Sequence, residues 1–278
     1  MKNFFYAFFL VILNSALFYS CNDEEKNEDL VEEEQQTATE SKQVAFSAQN
    51  VFNTLPDKEL VLSLIDKNNL EYNPDFLNDP NSVTKYNIEF FKAINLGIYG
   101  SDLTISSTFD QTQESMVFLK CVNVLAGNLG VNAAFDQRMF DRIQSNDNNK
   151  DSVLQIITES FKEVDEILKN NNRPGTSAII LAGCWIEGLY VSCQMAQMVS
   201  AESIFKTILS QKESLHNLLA LLESVELKEE EKFLVKDLKE LHKIYEVAET
   251  STTYDKAAIA GITQKISDLR NNVVSSNS

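Results

Sequence analysis

Two carboxylates lie in segments where helical patterning leaves little room for charge. Residues 177–199 read SAIILAGCWIEGLYVSCQMAQMV. They are apolar nearly all round, which predicts a central helix. At about 100° per residue, Glu187, Tyr190, Gln194 and Gln197 share one stripe, with Gly183 on the same side and Gly188 off it. Glu187, Gln194 and Gln197 also argue against a membrane span. Residues 90–106 read FFKAINLGIYGSDLTIS and place Asn95, Tyr99, Asp102 and Ser106 on a second stripe, flanked by Phe91 and Ile98. Gly97 and Gly100 there, like Gly183, allow a backbone or a ligand to come close. The polar run Asp110-Gln111-Thr112-Gln113-Glu114 follows, with Asp110 or Thr112 as the predicted N-cap of the next helix.

A buried carboxylate is unfavourable unless it is paired or hydrogen-bonded. Two arrangements satisfy that requirement. In the first, Asp102 and Glu187 face a shared cleft, with Tyr99, Tyr190, Gln111 and Gln194 around a polar ligand. Carboxyls in unlike environments could then serve as acid and base in a hydrolase or lyase. In the second, they belong to an internal network in which tyrosine hydroxyls donate to the carboxylates. The ligand reading requires the two groups to be close and open to a pocket.

Other chemistry is sparse. The chain has two histidines, four cysteines and one tryptophan. Glu213-Ser214-Leu215-His216 has Glu-x-x-His spacing, but a ferritin-type di-metal bundle needs two such pairs and two further Glu. Glu240-Leu241-His242 has the wrong spacing, and His216 falls at the edge of an apolar face. No metal ligand set and no cofactor is expected. There is no H-E-x-x-H, no G-x-S-x-G and no phosphate-binding glycine loop. Cys121, Cys184 and Cys193 lie in apolar segments with no histidine beside them, so they read as small buried hydrophobes. These absences argue against an enzyme.

The elements that carry the stripes are helical throughout. Apolar residues recur at three- and four-residue spacing from residue 44 onward. The spacing predicts helices near 45–54, 57–68, 82–106, 111–128, 132–145, 151–171, 176–199, 201–224, 228–249 and 254–272. Residues 69–81 read as irregular, and Gly127 or Gly130 closes the helix from 111. Asn170 to Gly175 is the clearest turn, and Thr176 the predicted cap after it. Glu213, Glu229, Glu230, Glu231, Lys236 and Lys239 fall on expected solvent faces. The fold class is all-α, either an irregular multi-helix bundle or an array of antiparallel helical hairpins. The helical domain spans 44–275, with 172–175 as the best place for a subdivision.

The N-terminal residues follow another logic. Residues 1–20, MKNFFYAFFLVILNSALFYS, have a positive Lys2, an apolar stretch from Phe4 to Leu13 and a small residue before Cys21. That is the layout of a secretory signal peptide. Leu17-Phe18-Tyr19-Ser20-Cys21 resembles the lipobox of a bacterial lipoprotein, with Phe18 and Tyr19 where Leu and Ala or Ser are usual. The resemblance implies lipid, including palmitate, on Cys21 as the mature N-terminus. An uncleaved signal anchor is the alternative, because 4–20 approaches spanning length. The run Asn22-Asp23-Glu24-Glu25-Lys26-Asn27-Glu28-Asp29 resembles the surface-export signal of Bacteroidetes lipoproteins. It implies the outer membrane, facing the cell exterior. More loosely, Asn95 to Leu103 and Gly183 to Tyr190 resemble segments of uncharacterised helical lipoproteins of that group, which implies no activity.

Residues 21–43 read as an acidic tether. As a coil they span about 25 Å, and fully extended about 70 Å. They also account for much of the charge. The chain carries a formal net charge of −17, and residues 22–34 hold eight acidic residues against one Lys. An acidic chain disfavours nucleic acid, whose phosphates require a concentrated Lys/Arg surface.

Three functions remain in view. One is a lipid-anchored binding or scaffolding module for an envelope protein or a small polar ligand. The second is the Asp102/Glu187 hydrolase or lyase. The third is a self-associating envelope protein using the stripe Ile204, Ile208, Leu215, Leu219 and Leu222, or the helix 228–249.

Overall fold

The computed structural model describes residues 70–145, 149–198, 202–249 and 256–275. The signal peptide, Cys21, the tether and the helices expected at 45–54 and 57–68 lie outside the described residues. The described ones hold eight α-helices and no strand. In chain order these are α1 (Glu89–Thr108), α2 (Thr112–Leu129), α3 (Gln137–Ser145), α4 (Lys150–Asn170), α5 (Pro174–Met198), α6 (Glu202–Glu223), α7 (Lys232–Glu249) and α8 (Lys256–Ser275). Consecutive helices α1–α2, α5–α6, α6–α7 and α7–α8 pack as neighbours, and α1 lies along α5 at the centre. This is the expected all-α arrangement of many packed helices.

Several boundaries differ from the spacing, each for a local reason. The helix expected from 82 begins only at Glu89. Asp79 Oδ1 accepts the Asn81 N–H at 2.9 Å, and Pro80 opens a 3-10 turn, Pro80–Lys85. Extended backbone at Tyr86 then turns its ring inward, leaving it 2% exposed. The helix expected over 132–145 breaks at Asp136, whose carboxylate accepts the Met139 N–H at 3.2 Å and so caps α3. α5 opens on Pro174 rather than after Thr176. A proline suits a first helical turn because the N–H it lacks would have no partner there. Gln111, without a side-chain cap bond, precedes α2, and Asp110 takes a left-handed φ of 57°. Gly130 closes α2 at φ 76°, with the Val131 N–H reaching back to the Ala126 carbonyl at 2.9 Å. Glu231, expected in solvent, is buried, and its carboxylate accepts the Lys228 N–H at 2.9 Å.

The core runs along α5. Ile180, Trp185, Ile186, Leu189 and Cys193 are all at most 2% exposed. The stripe Ile204, Ile208, Leu215, Leu219 and Leu222 on α6 is buried within the chain as well.

Glycines set the distance between α1 and α5. A Cβ on Gly97 would stand 2.0 Å from the Ile180 carbonyl oxygen, and one on Gly183 would stand 2.0 Å from that of Ile94. Both obstacles are backbone, so neither can swing aside. Ser101 Oγ donates to the Cys184 carbonyl at 2.8 Å along the same seam. On its other side α1 meets α4, where a Cβ on Gly100 would stand 2.2 Å from the Phe161 ring.

Gly97→Ala and Gly183→Ala should therefore each lower the unfolding free energy by about 1–3 kcal/mol or more. Gly188 has open space around it. Gly188→Ala should be neutral or stabilising by up to about 1 kcal/mol, because it only removes a poor helix former. Urea titration of the three variants checks this, and equal midpoints for all three would contradict the close crossing.

Candidate functional site

The close approach of α1 and α5 brings the two polar stripes together. Asp102 on α1 and Glu187 on α5 are both completely buried, and each acts on the other's titration. The third member comes from α8. Arg270 Nε donates to Glu187 Oε2 at 3.0 Å, and its Nη2 donates to Oε1 at 3.0 Å. The Arg270 guanidinium also lies over the Tyr190 ring, 4.7 Å from its centre. This two-pronged grip satisfies the geometry of a carboxylate better than a point charge would.

Asp102 has no cation of its own. Its Oδ2 accepts the Asn78 N–H at 3.2 Å, and among the described residues no donor reaches its Oδ1. Burial pushes its carboxyl well above the usual range, and the Glu187 charge pushes in the same direction. Burial also raises Glu187, but Arg270 opposes that rise through charge and hydrogen bonds. These directions favour the protonated form on Asp102 and the ionised form on Glu187, beside Arg270. With that proton in place the cluster holds one anion and one cation.

Around it the other stripe residues hold backbone in place. Asn95 Nδ2 donates to the Val273 carbonyl at 2.9 Å, and the Tyr86 hydroxyl to that of Val274 at 3.2 Å. Those carbonyls lie in the last turn of α8, where a helix has no N–H to offer. Asn78 Nδ2 bridges to the Tyr86 hydroxyl at 3.2 Å and to Asn95 Oδ1 at 3.4 Å. Tyr99 donates to the Asp79 carbonyl at 2.8 Å. The network thus joins three pieces of chain: residues 78–86, the α1–α5 pair and the end of α8.

The six candidate residues do not all converge. Tyr99, Asp102, Glu187 and Tyr190 belong to this network. Gln194 reaches Ser267 Oγ on α8 at 3.4 Å, further along the helix pair. Gln111 turns back onto the Phe109 carbonyl at 2.9 Å. Arg270, Asn78 and Tyr86 were not singled out by spacing. Arg270 looks like an ordinary polar position on an amphipathic helix, and Asn78 lies in an irregular stretch.

Thiol chemistry is disfavoured. Burial pushes the Cys121 thiol up to about 11 and the Cys193 thiol up to about 12. Cys121, Cys184 and Cys193 are all free.

A groove of about 550 Å³ opens elsewhere, at the N-terminal ends of α1 and α5. None of the six candidates lines it. Its floor is apolar, from Phe90, Ala93, Ile179 and Leu227, and its rim is charged. Arg173 Nη2 meets Glu89 Oε1 at 2.7 Å, and the Lys228 ammonium lies 3.7 Å from Glu89 Oε2. The Arg173 hydrogen bond, with further help from Thr176 and Lys228, holds the Glu89 carboxyl below its usual range. Arg173 also caps the end of α2 through the Leu129 carbonyl at 2.7 Å.

No protein-family profile, no curated protein and no solved structure matches this chain.

Removing the cation alone should be the most damaging change. Arg270→Met leaves Glu187 buried without its partner and should lower stability by about 3–5 kcal/mol. Adding Glu187→Leu to that variant should restore most of the loss, because the uncompensated charge is gone. Chemical denaturation of both variants distinguishes these outcomes.

The pH dependence has a definite sign. Folded Asp102 keeps a proton that the unfolded chain releases above about pH 4. Its contribution is full below that value and fades as pH rises toward the folded pKa, by up to about 1.4 kcal/mol per pH unit. Asp102→Asn keeps a donor for Glu187 and removes the titration. Between about pH 5 and about pH 8 its stability should fall less steeply than that of the wild type. Parallel slopes would show that Asp102 is already ionised.

Proposed function

We propose that the protein is a lipid-anchored binding or scaffolding module of the cell envelope, facing the cell exterior on an acidic tether. The observation that carries this reading is the closure of its best acid–base pair. Asp102 and Glu187 have no exposed surface, and the Glu187 charge is taken up by Arg270. A hydrolase or lyase would need a substrate atom at one of these carboxyls. The pair serves instead to seat α8 on α1 and α5, giving a rigid helical head. The anchor rests on Ser20-Cys21 and the acidic run after it. Stable attachment requires more than one acyl chain, as the lipoprotein resemblance implies.

The test uses cells fed an alkyne analogue of palmitate and expressing wild type, Cys21→Ser or Glu187→Gln. Wild type and Glu187→Gln should carry the label and capture the same envelope partners after crosslinking. Cys21→Ser should lose the label and leave the membrane fraction. An unlabelled wild type would defeat the anchor. A partner lost from a Glu187→Gln protein with unchanged melting behaviour would return the carboxylates to the role of a site.

A further inference from the structure

Helix α2 carries an apolar stripe that the described residues leave uncovered. It packs on α1 and on the 3-10 turns Pro80–Lys85 and Asn132–Phe135. Its outer face presents Val117 and Val124, two turns apart and 41% and 45% exposed. Lys120 lies between them, and a Cβ on Gly127, one turn beyond Val124, would meet nothing within 4 Å. We infer that residues 57–68 of this same chain dock along that face as an antiparallel helix.

The occupant follows from where the chain enters the described part. Leu70 and Tyr72 pack against the core. The Tyr72 hydroxyl donates to the Glu114 carboxylate in the first turn of α2, and its ring centre lies 5.7 Å from that of Phe109. Residue 72 is thereby pinned at the N-terminal end of α2. Only residues 69–71 separate that anchor from Asn68. A linker that short is the usual length of a turn between antiparallel helices.

The segment reads DKELVLSLIDKN from Asp57 to Asn68. At about 100° per residue, Leu60, Val61, Leu64 and Ile65 share one side, and Glu59, Ser63, Asp66 and Lys67 the other. A helix this short is marginal in water unless its apolar side is packed against a partner. The lengths agree, since 57–68 would span about 18 Å and Gln113 to Gly127 on α2 about 21 Å. Antiparallel alignment from Tyr72 sets Ile65 beside Val117, and Leu60 and Val61 between Lys120 and Val124. Lys120 can lay its methylene stem along them and keep its ammonium in water. Gly127 leaves room for the chain near Pro56 to come close. Docked this way, the chain leading back to Cys21 leaves from the Gly127 end of α2, not from the Tyr72 end.

Hydrogen exchange of the full-length protein in detergent reads the segment directly. Amides within 57–68 should exchange at least about tenfold more slowly than those in 22–34. The double variant Val117→Asp, Val124→Asp should remove that protection. Both positions are already exposed, so the amides of α5 should stay as protected as in the wild type. Leu60→Asp with Leu64→Asp should have the same effect from the other side of the contact. Val247→Asp, at an exposed apolar residue on α7, should leave 57–68 protected. A wild type without protection in 57–68, or protection that survives the α2 double variant, would overturn the proposal. So would a dimer in sedimentation that the α2 double variant abolishes, because a second copy of the chain would then hold the face.

Discussion

A full negative charge at the centre of an apolar helix constrains everything near it. Glu187 has no water to solvate it, so a cation must be delivered to it with both carboxylate oxygens satisfied. Arg270 does this from the far end of the chain, from a helix otherwise bound to the core by ordinary packing. The position of α8 follows from that pairing. Once Arg270 is fixed, the last carbonyls of α8 fall beside Asn95 and Tyr86, which supply the donors that the helix end lacks. Residues 78–86 are then held from two sides, by Asn78 to Asp102 and by Tyr86 to α8.

The arrangement also depends on how near α1 comes to α5. Gly97 and Gly183 let two backbones touch where any side chain would separate them. At that spacing the Glu187 charge disfavours a second charge on Asp102. The preference of Asp102 for its protonated form is thus a consequence of helix packing. Small residues on facing helices, a retained proton and a buried ion pair are three aspects of one constraint.

Much of this was legible in the sequence. Spacing gave the helices, and two polar stripes on apolar helices pointed to Asp102 and Glu187 as partners. The glycines marked the seam. What periodicity could not give was the third party. Arg270 lies 83 residues beyond Glu187, on a separate helix that no local spacing links to it. Asn78 meets Asp102 through its backbone N–H, which no residue-type pattern announces. Gln111 shows the opposite limit: polarity near a stripe placed it with the candidates, but a turn directs its side chain back to its own backbone.

Infrared difference spectroscopy bears most directly on the shared proton. At neutral pH the wild type should show the carbonyl stretch of a protonated, hydrogen-bonded carboxyl group, and Asp102→Asn should lack it. A wild type without that band, or a band that persists in Asp102→Asn, would contradict the buried one-proton cluster on which the account rests.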